Sequence, residues 1–272
     1  MENIIEIKDL KKSFHVKKAV KPVLKGVDLA VKTGEIYALL GSNGAGKTTM
    51  INIMATLMTA DSGSVSVNGF DVKKSPSKVR QSFALTGQFA AVDDILTGRE
   101  NLEMIAKLRK VAEAKRVAAE MLEKVSLTEA ADKPLSSYSG GMKRRIDIAM
   151  SLIGAPAIIF LDEPTTGLDP EARNEVYDLV KTLSDKGTTI FLTTQYLQEA
   201  EELADRIGIL HEGKIVAEGS FDELKQMFPK AKVEMVEKQP TLEEIFLAIV
   251  AKKGTDKAVS TDENLNKEKS HA

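Results

Sequence analysis

The sequence predicts an α/β protein: a parallel sheet flanked by helices, preceded by antiparallel strands and interrupted by a mostly helical insert. Three observations carry that expectation. A short apolar run at Ile36–Leu40 leads through a glycine-rich loop into helical composition at 48–57. A continuously apolar run at 158–161 reads as a strand buried on both faces, and strand signals at 188–194 and 207–210 follow it, separated by helical stretches at 171–183 and 197–205. Between them, about 89–154, the composition is helical, rich in Ala, Glu, Lys and Leu.

Taken in order, residues 4–10 alternate apolar and polar as a half-buried strand does, with Ile5 and Ile7 against Glu6 and Lys8. Phe14 follows in a lysine-rich segment, and alternation resumes at 23–31. Thr33-Gly34 turns into the run at Ile36–Leu40. Residues 64–67 and 83–86 read as further strands. Thr97-x-x-Glu100 fits a capping box that opens a helix through Leu102, Ile105 and Leu108, continuing in composition to Val125 and broken at Asp132-Lys133-Pro134. After the last parallel-strand signal, His211 to Lys214 turn into a strand at 215–217. Ser220-x-x-Glu223 and Thr241-x-x-Glu244 predict two more capped helices. From Lys252 the chain is polar and charged, the composition of a disordered tail. The expected division is one domain over 1–230 with the insert at about 89–154, a short extension over 231–251 and the tail over 252–272.

The loop Gly41-Ser42-Asn43-Gly44-Ala45-Gly46-Lys47-Thr48-Thr49 fits GxxxxGK[ST]. Glycines let backbone N–H groups approach phosphate oxygens, Lys47 places a point charge on the β- and γ-phosphates, and the Thr48 hydroxyl can ligate Mg²⁺. The following helix aims its N-terminal dipole at the same phosphates. At 158–163 an apolar strand ends in two carboxylates. Asp162 is the candidate for the Mg²⁺ shell, and Glu163 for polarising the water that attacks the γ-phosphate. Tyr138-Ser139-Gly140-Gly141-Met142 precedes an apolar-periodic stretch. It reads either as an ordinary helix cap or as a second anion site; two chains facing each other would use both sites.

Bulk properties exclude several classes. The 272 residues carry a formal charge of -2, so no global attraction to nucleic acid or anionic lipid is implied. There is no cysteine, hence no disulfide or cysteine metal site, and only three histidines. No basic-then-apolar leader opens the sequence, and no apolar run approaches the ~20 residues that span a bilayer. A soluble or peripheral protein is expected, with any membrane span supplied elsewhere. Lys143-Arg144-Arg145 is read as a solvated helix face rather than a nucleic-acid patch, and His211 as a surface residue. The lysines from Lys11 to Lys32 either keep an exposed edge soluble or lie near a membrane surface. Phe14 is either a core aromatic or a base-stacking one.

The combination resembles the nucleotide-binding subunit of ABC transporters over residues 4–250. The resemblance implies a P-loop NTPase (RecA-like) core with an antiparallel β-subdomain and an inserted α-helical subdomain. It implies ATP and Mg²⁺ as ligands, an ATP-dependent homodimer or pairing with a sibling subunit, a separate transmembrane permease, no nucleic-acid partner, and a peripheral place on the cytoplasmic face of the cell membrane. Residues 41–48 match Walker A. Gln88 fits the glutamine loop, which touches Mg²⁺ and the permease. Tyr138 to Met142 fit the signature, whose Ser139, Gly140 and Gly141 touch the partner's γ-phosphate. Asp162 ends Walker B, Glu163 looks like the catalytic glutamate, Gly167-Leu168-Asp169 like the D-loop, and Phe14 sits where the family stacks an aromatic on adenine. Two positions depart from the pattern. Tyr138 and Met142 replace the usual Leu and Gln, and Gln195 stands where most members have a γ-phosphate-sensing His. Gln195 can donate a hydrogen bond but cannot become cationic, so hydrolysis is expected to lean more on Glu163.

Further segments are similar to the daunorubicin-resistance type of exporter ATPase: 85–90, 96–102, 138–145, 193–197 and 240–246. That resemblance implies efflux of a drug, antibiotic or lipid-like compound. The rival readings are an ABC-type ATPase with a regulatory or nucleic-acid role, and a P-loop kinase. The first commonly carries two cassettes or long coiled coils, whereas this chain has one cassette and no heptad array; the second leaves Ser139 to Gly141 unexplained.

Overall fold

The computed structural model of the chain describes residues 2–16 and 19–227. Two sheets form the frame. The first is antiparallel, in the order β2 (Ala19–Lys32), β1 (Asn3–Val16), β4 (Ser62–Val67), β5 (Phe70–Asp71). The second runs β10 (Lys214–Gly219), β9 (Arg206–His211), β3 (Ile36–Leu40), β8 (Thr189–Thr194), β7 (Ile158–Asp162), β6 (Phe83–Thr86). Its strands β9 to β6 are parallel, and β10 closes one edge antiparallel.

The side-chain period of two divides the sheet's residues between two cores. Ile36, Ala38, Leu40, Ile159, Leu161, Ile190 and Leu192 face the helices α5 (Gly140–Leu152) and α6 (Pro170–Asp185). Tyr37, Leu39, Ile158, Phe160 and Phe191 face α1 (Lys47–Met54) and the antiparallel sheet. On that second face an aromatic row crosses the strands. Tyr37 stacks on Phe191 at 5.5 Å between ring centroids, Phe191 meets Phe160 edge-on at 5.9 Å, and Phe160 meets Phe83 at 5.1 Å. Such contacts add about 0.5–1.5 kcal/mol per pair beyond the area they bury.

Several expectations change in detail. β1 runs through Phe14, which lies in the strand opposite Lys21 rather than after it. β2 is the edge strand of its sheet, with Lys21, Lys25 and Lys32 exposed along it. The helix expected to run on to Val125 is broken into α3 (Gly98–Leu108) and α4 (Ala114–Lys124). Lys110 and Glu113 take left-handed φ of 55° and 56°, which ends one helix and starts the next. The break folds α4 back so that Ala118, Met121 and Leu122 reach the same core as Leu102 and Ala106. The capping boxes at Thr97/Glu100 and Ser220/Glu223 are both formed, the second opening α8 (Phe221–Gln226). A short helix α2 (Pro76–Ser82), with Pro76 in its first turn, was not anticipated. The remaining helix is α7 (Leu197–Leu203). The Thr241/Glu244 box, the extension over 231–251 and the tail lie outside the described residues.

Candidate nucleotide site

The glycine loop leaves the carboxyl end of β3 and enters α1 at Lys47. Two positions exclude any side chain. A Cβ on Gly41 would sit 2.6 Å from the Leu210 carbonyl oxygen, and Gly46 combines φ of 114° with a Cβ position 2.8 Å from Leu24 Cδ2. Gly41, Ser42 and Ala45 frame the loop. Asn43, Gly44, Gly46, Lys47, Thr48 and Thr49 line a cleft of about 520 Å³ together with Gln88, Glu163, Phe14, Lys21 and Val23. The Lys47 side chain is buried and curls back over its own loop, donating to the Gly41 carbonyl at 2.7 Å and the Ser42 carbonyl at 3.3 Å.

Three predicted residues from distant parts of the chain meet at the floor of this cleft. Lys47 Nζ lies 3.1 Å from Glu163 Oε1. Gln88 Nε2 donates to Glu163 Oε2 at 3.4 Å, and the Thr166 hydroxyl donates to the same oxygen at 3.3 Å. Glu163 holds a left-handed φ of 48°, uncommon for a residue with a Cβ and costing of order 1–3 kcal/mol. Its N–H donates to the Thr193 carbonyl at 3.0 Å, which fixes that conformation. Asp162, one residue earlier, is buried and accepts a hydrogen bond from the Thr193 hydroxyl at 2.5 Å.

Phe14 stands at another wall of the cleft with Lys21, its cross-strand partner, and Lys12 Nζ lies 5.7 Å from the Phe14 ring centroid. An aromatic ring and a buried lysine lining one cleft suit a base joined to a polyphosphate. The metal-ligand candidates are Thr48, Gln88 and Asp162. Among the described residues no group of three or more His, Cys, Asp or Glu could hold a metal ion. One carboxylate, one hydroxyl and one amide suit Mg²⁺, which takes few protein ligands and completes its shell with phosphate oxygens and water.

Other predicted residues lie outside the cleft lining. Gln195 follows β8, half-buried. Ser139 caps α5, its Oγ accepting from Met142 N–H at 3.2 Å, and Asp169 caps α6, its carboxylate accepting from Ala172 N–H at 2.9 Å. Ser139, Gly140 and Asp169 are exposed. Gly141 is buried against α6, where an added Cβ would come within 2.6 Å of Ala172 Cβ. Tyr138 is buried in the insert and donates its hydroxyl to the Ala130 carbonyl at 2.6 Å.

Some functional neighbours carried no sequence signal, and one carried a misleading one. Val23 and Thr166 sit in stretches with no motif of their own, Lys21 in the lysine-rich segment and Thr193 in the segment 193–197, neither of which marks these contacts. The run Lys143-Arg144-Arg145 is not a solvated face, because α5 is enclosed between the insert and the sheet. Arg144 is 5% exposed and spends its guanidinium on the Pro164, Gly87 and Asp162 carbonyls and on Asp147. Arg145 bonds the Val125 carbonyl and Glu175, and Lys143 pairs with Asp94. Burial pushes the Asp147 carboxyl up from its ordinary range, with Arg144 opposing. Glu199 on α7 is fully buried, accepts from the Thr165 hydroxyl at 2.7 Å, and is likewise pushed up by burial.

Known proteins share the sequence and the fold. The ABC transporter family profile matches residues 24–166. The daunorubicin resistance ATP-binding protein DrrA2 of Streptomyces coeruleorubidus is 50% identical over 79% of this chain and 68% of its own length. The doxorubicin resistance ATP-binding protein DrrA of Mycobacterium tuberculosis is 48% identical over 74% and 62%, and the linearmycin resistance ATP-binding protein LnrL of Bacillus subtilis is 39% identical over 81% and 70%. The chain thus spans about two thirds of the length of these relatives. Among solved structures, a dimeric post-hydrolysis state of an ATP-binding cassette bound to ADP and Pi superposes with a TM-score of 0.72 at 27% identity, covering 79% of this chain and 98% of that one. CbiO1 from Clostridium perfringens, part of an ABC transporter complex, gives 0.75 at 25% identity, covering 83% and 92%. The phosphate loop, the Asp-Glu strand end and a family profile spanning more than half of the sequence converge on one conclusion: the chain belongs to the ABC transporter family, as an ATP-binding cassette.

Proposed function

We propose that this chain is the ATP-hydrolysing subunit of an exporter that expels a drug, antibiotic or lipid-like compound through a separate permease. The observation that carries the reading is the meeting of Lys47, Gln88 and Glu163 in a cleft that Phe14 also lines. Phe14 stacks on adenine, the backbone from Gly41 to Gly46 and Lys47 hold the phosphates, and Glu163 accepts a proton from the attacking water. Thr48, Asp162 and Gln88 hold Mg²⁺, which when bound neutralises charge on the β- and γ-phosphates. Ser139, Gly140, Gly141 and Asp169, exposed or close-packed at adjoining helix starts, serve the nucleotide of a second subunit, and Gln195 donates to the γ-phosphate. The class of exported compound rests on the relatives named for daunorubicin, doxorubicin and linearmycin resistance.

A permease partner is supported by two observations. Among the described residues no helix is long and apolar enough to cross a membrane, and Phe89 and Ile95, beside Gln88 and at the start of the insert, are 85% and 87% exposed. That face would lie against the permease at the cytoplasmic side of the membrane.

Light scattering on Glu163→Gln with and without ATP tests the reading. A shift from monomer to dimer that requires ATP is expected, because each site is completed by the other subunit and ATP binds that closed state better. A persistent monomer that binds ATP would overturn the two-subunit site.

A further inference from the structure

Among the described residues, only two ion pairs have both side chains a tenth or less exposed. One is Lys47–Glu163 in the cleft; the other is Arg144–Asp147, one turn apart on α5, at 3.2 Å. A buried ion pair is a weak source of stability, because desolvation offsets most of the attraction. The second pair therefore needs another explanation, and its remaining hydrogen bonds supply one.

Arg144 Nη1 donates to the Gly87 carbonyl at 2.6 Å, and Asp147 Oδ1 accepts from the Ala91 N–H at 3.2 Å. The two bonds hold both ends of the segment 87–91, which carries Gln88 on the cleft side and the exposed Phe89. The same guanidinium reaches the other way. Nε donates to the Pro164 carbonyl at 2.8 Å and Nη2 to the Asp162 carbonyl at 3.5 Å, on either side of Glu163. A guanidinium is a planar fork, so its donors cannot move independently. A displacement of segment 87–91 must either carry the backbone around Glu163 with it or break these bonds.

We infer that Arg144, locked by Asp147, is a positioning residue that couples the Gln88–Phe89 segment to the Glu163 loop. It is not among the residues that line the cleft. It makes the nucleotide state of the cleft and the placement of Phe89 depend on each other, and that dependence is reciprocal. The inference rests on the ATP-hydrolysing reading above.

The chain contains no tryptophan, so Phe89→Trp in the full-length protein introduces a single fluorescent reporter at an exposed position. Acrylamide quenching is read with and without a non-hydrolysable ATP analogue plus Mg²⁺, and analogue affinity is titrated separately. The reporter's quenching is expected to change on binding. Arg144→Lys keeps the charge but loses the fork, and Asp147→Asn keeps the shape and the Ala91 acceptor but frees the guanidinium. Each is expected to abolish the change while analogue affinity stays within about threefold, and to lower kcat about tenfold at unaltered KM. A purely structural role would lower the melting temperature and leave the quenching change in place, which would overturn the inference. So would a parent protein that binds the analogue without any change at the reporter. No analogue binding by the unsubstituted chain would instead remove the nucleotide reading itself, and this inference with it.

Discussion

The Thr193 hydroxyl donates to Asp162 Oδ1 across 2.5 Å, joining the carboxyl ends of two neighbouring parallel strands in which these residues are register partners. That bond orients the carboxylate proposed to hold Mg²⁺. Partners that orient a metal ligand typically contribute 10- to 100-fold to affinity or activity. Thr193→Val keeps the side chain's shape and removes the donor. It is expected to raise the Mg²⁺ concentration that gives half-maximal hydrolysis by about tenfold or more, with ATP binding in the absence of metal unchanged. Mg²⁺ titration of the initial hydrolysis rate checks this.

Phe14 lines the same cleft as the phosphate loop and lies opposite Lys21 in the strand pair. If it stacks on the base, Phe14→Ala weakens ATP and ADP alike by about 5- to 150-fold, the effect of losing ~1–3 kcal/mol of stacking, and Phe14→Tyr restores binding. Fluorescent-nucleotide titration measures it. A lowered melting temperature with unaltered affinity would assign Phe14 to packing alone.

Gln195 follows β8 with a neutral amide at the position where most members of the family carry a histidine. One hydrogen bond contributes about 0.5–1.5 kcal/mol, so Gln195→Ala is expected to slow turnover by about 3- to 10-fold with nucleotide affinity unaltered. Gln195→Glu should slow it further by facing a carboxylate toward the γ-phosphate. Steady-state hydrolysis is the readout, and unchanged turnover in Gln195→Glu would mean that the side chain does not reach the nucleotide.

Glu199 is buried with one carboxylate oxygen on Thr165 and the other without a hydrogen-bond partner. Burial raises it above its ordinary value of 4.5, so the folded chain holds this proton more tightly than the unfolded chain does. The stability that the proton contributes is complete below 4.5 and is lost as pH climbs through the raised value. Glu199→Gln keeps an acceptor for Thr165 and has no proton to lose. The melting temperature of the parent relative to Glu199→Gln is therefore expected to fall as pH rises above about 4.5. Parallel curves across that range would show that the carboxyl titrates alike in both states.

How much of this was legible in the residues depended on whether a feature is local. Ile36–Leu40 and 83–86 were readable to the residue because a buried strand is a closed apolar run. The capping boxes at Thr97 and Ser220 were readable because their bonds join residues three apart. The phosphate loop and the Asp162-Glu163 strand end carry their chemistry in spacing. Thr193 matters only through Asp162, 31 positions away on the neighbouring strand, and no window of sequence records that. Arg144 was misread for the opposite reason: three basic residues in a row signal solvent locally, while the enclosure of α5 that turns Arg144 inward is a property of the whole fold.

The order of the parallel sheet bears on how this protein is made. β8 lies between β3 and β7, yet it is the last of the three to be synthesised. The Gly41 N–H and the Glu163 N–H both donate to carbonyls of β8, those of Thr194 and Thr193. A nascent chain that has already emitted both its phosphate loop and its Asp-Glu pair has nothing to hold them at the right separation until residue 194 is made. A stalled or truncated product therefore carries both motifs without a working cleft.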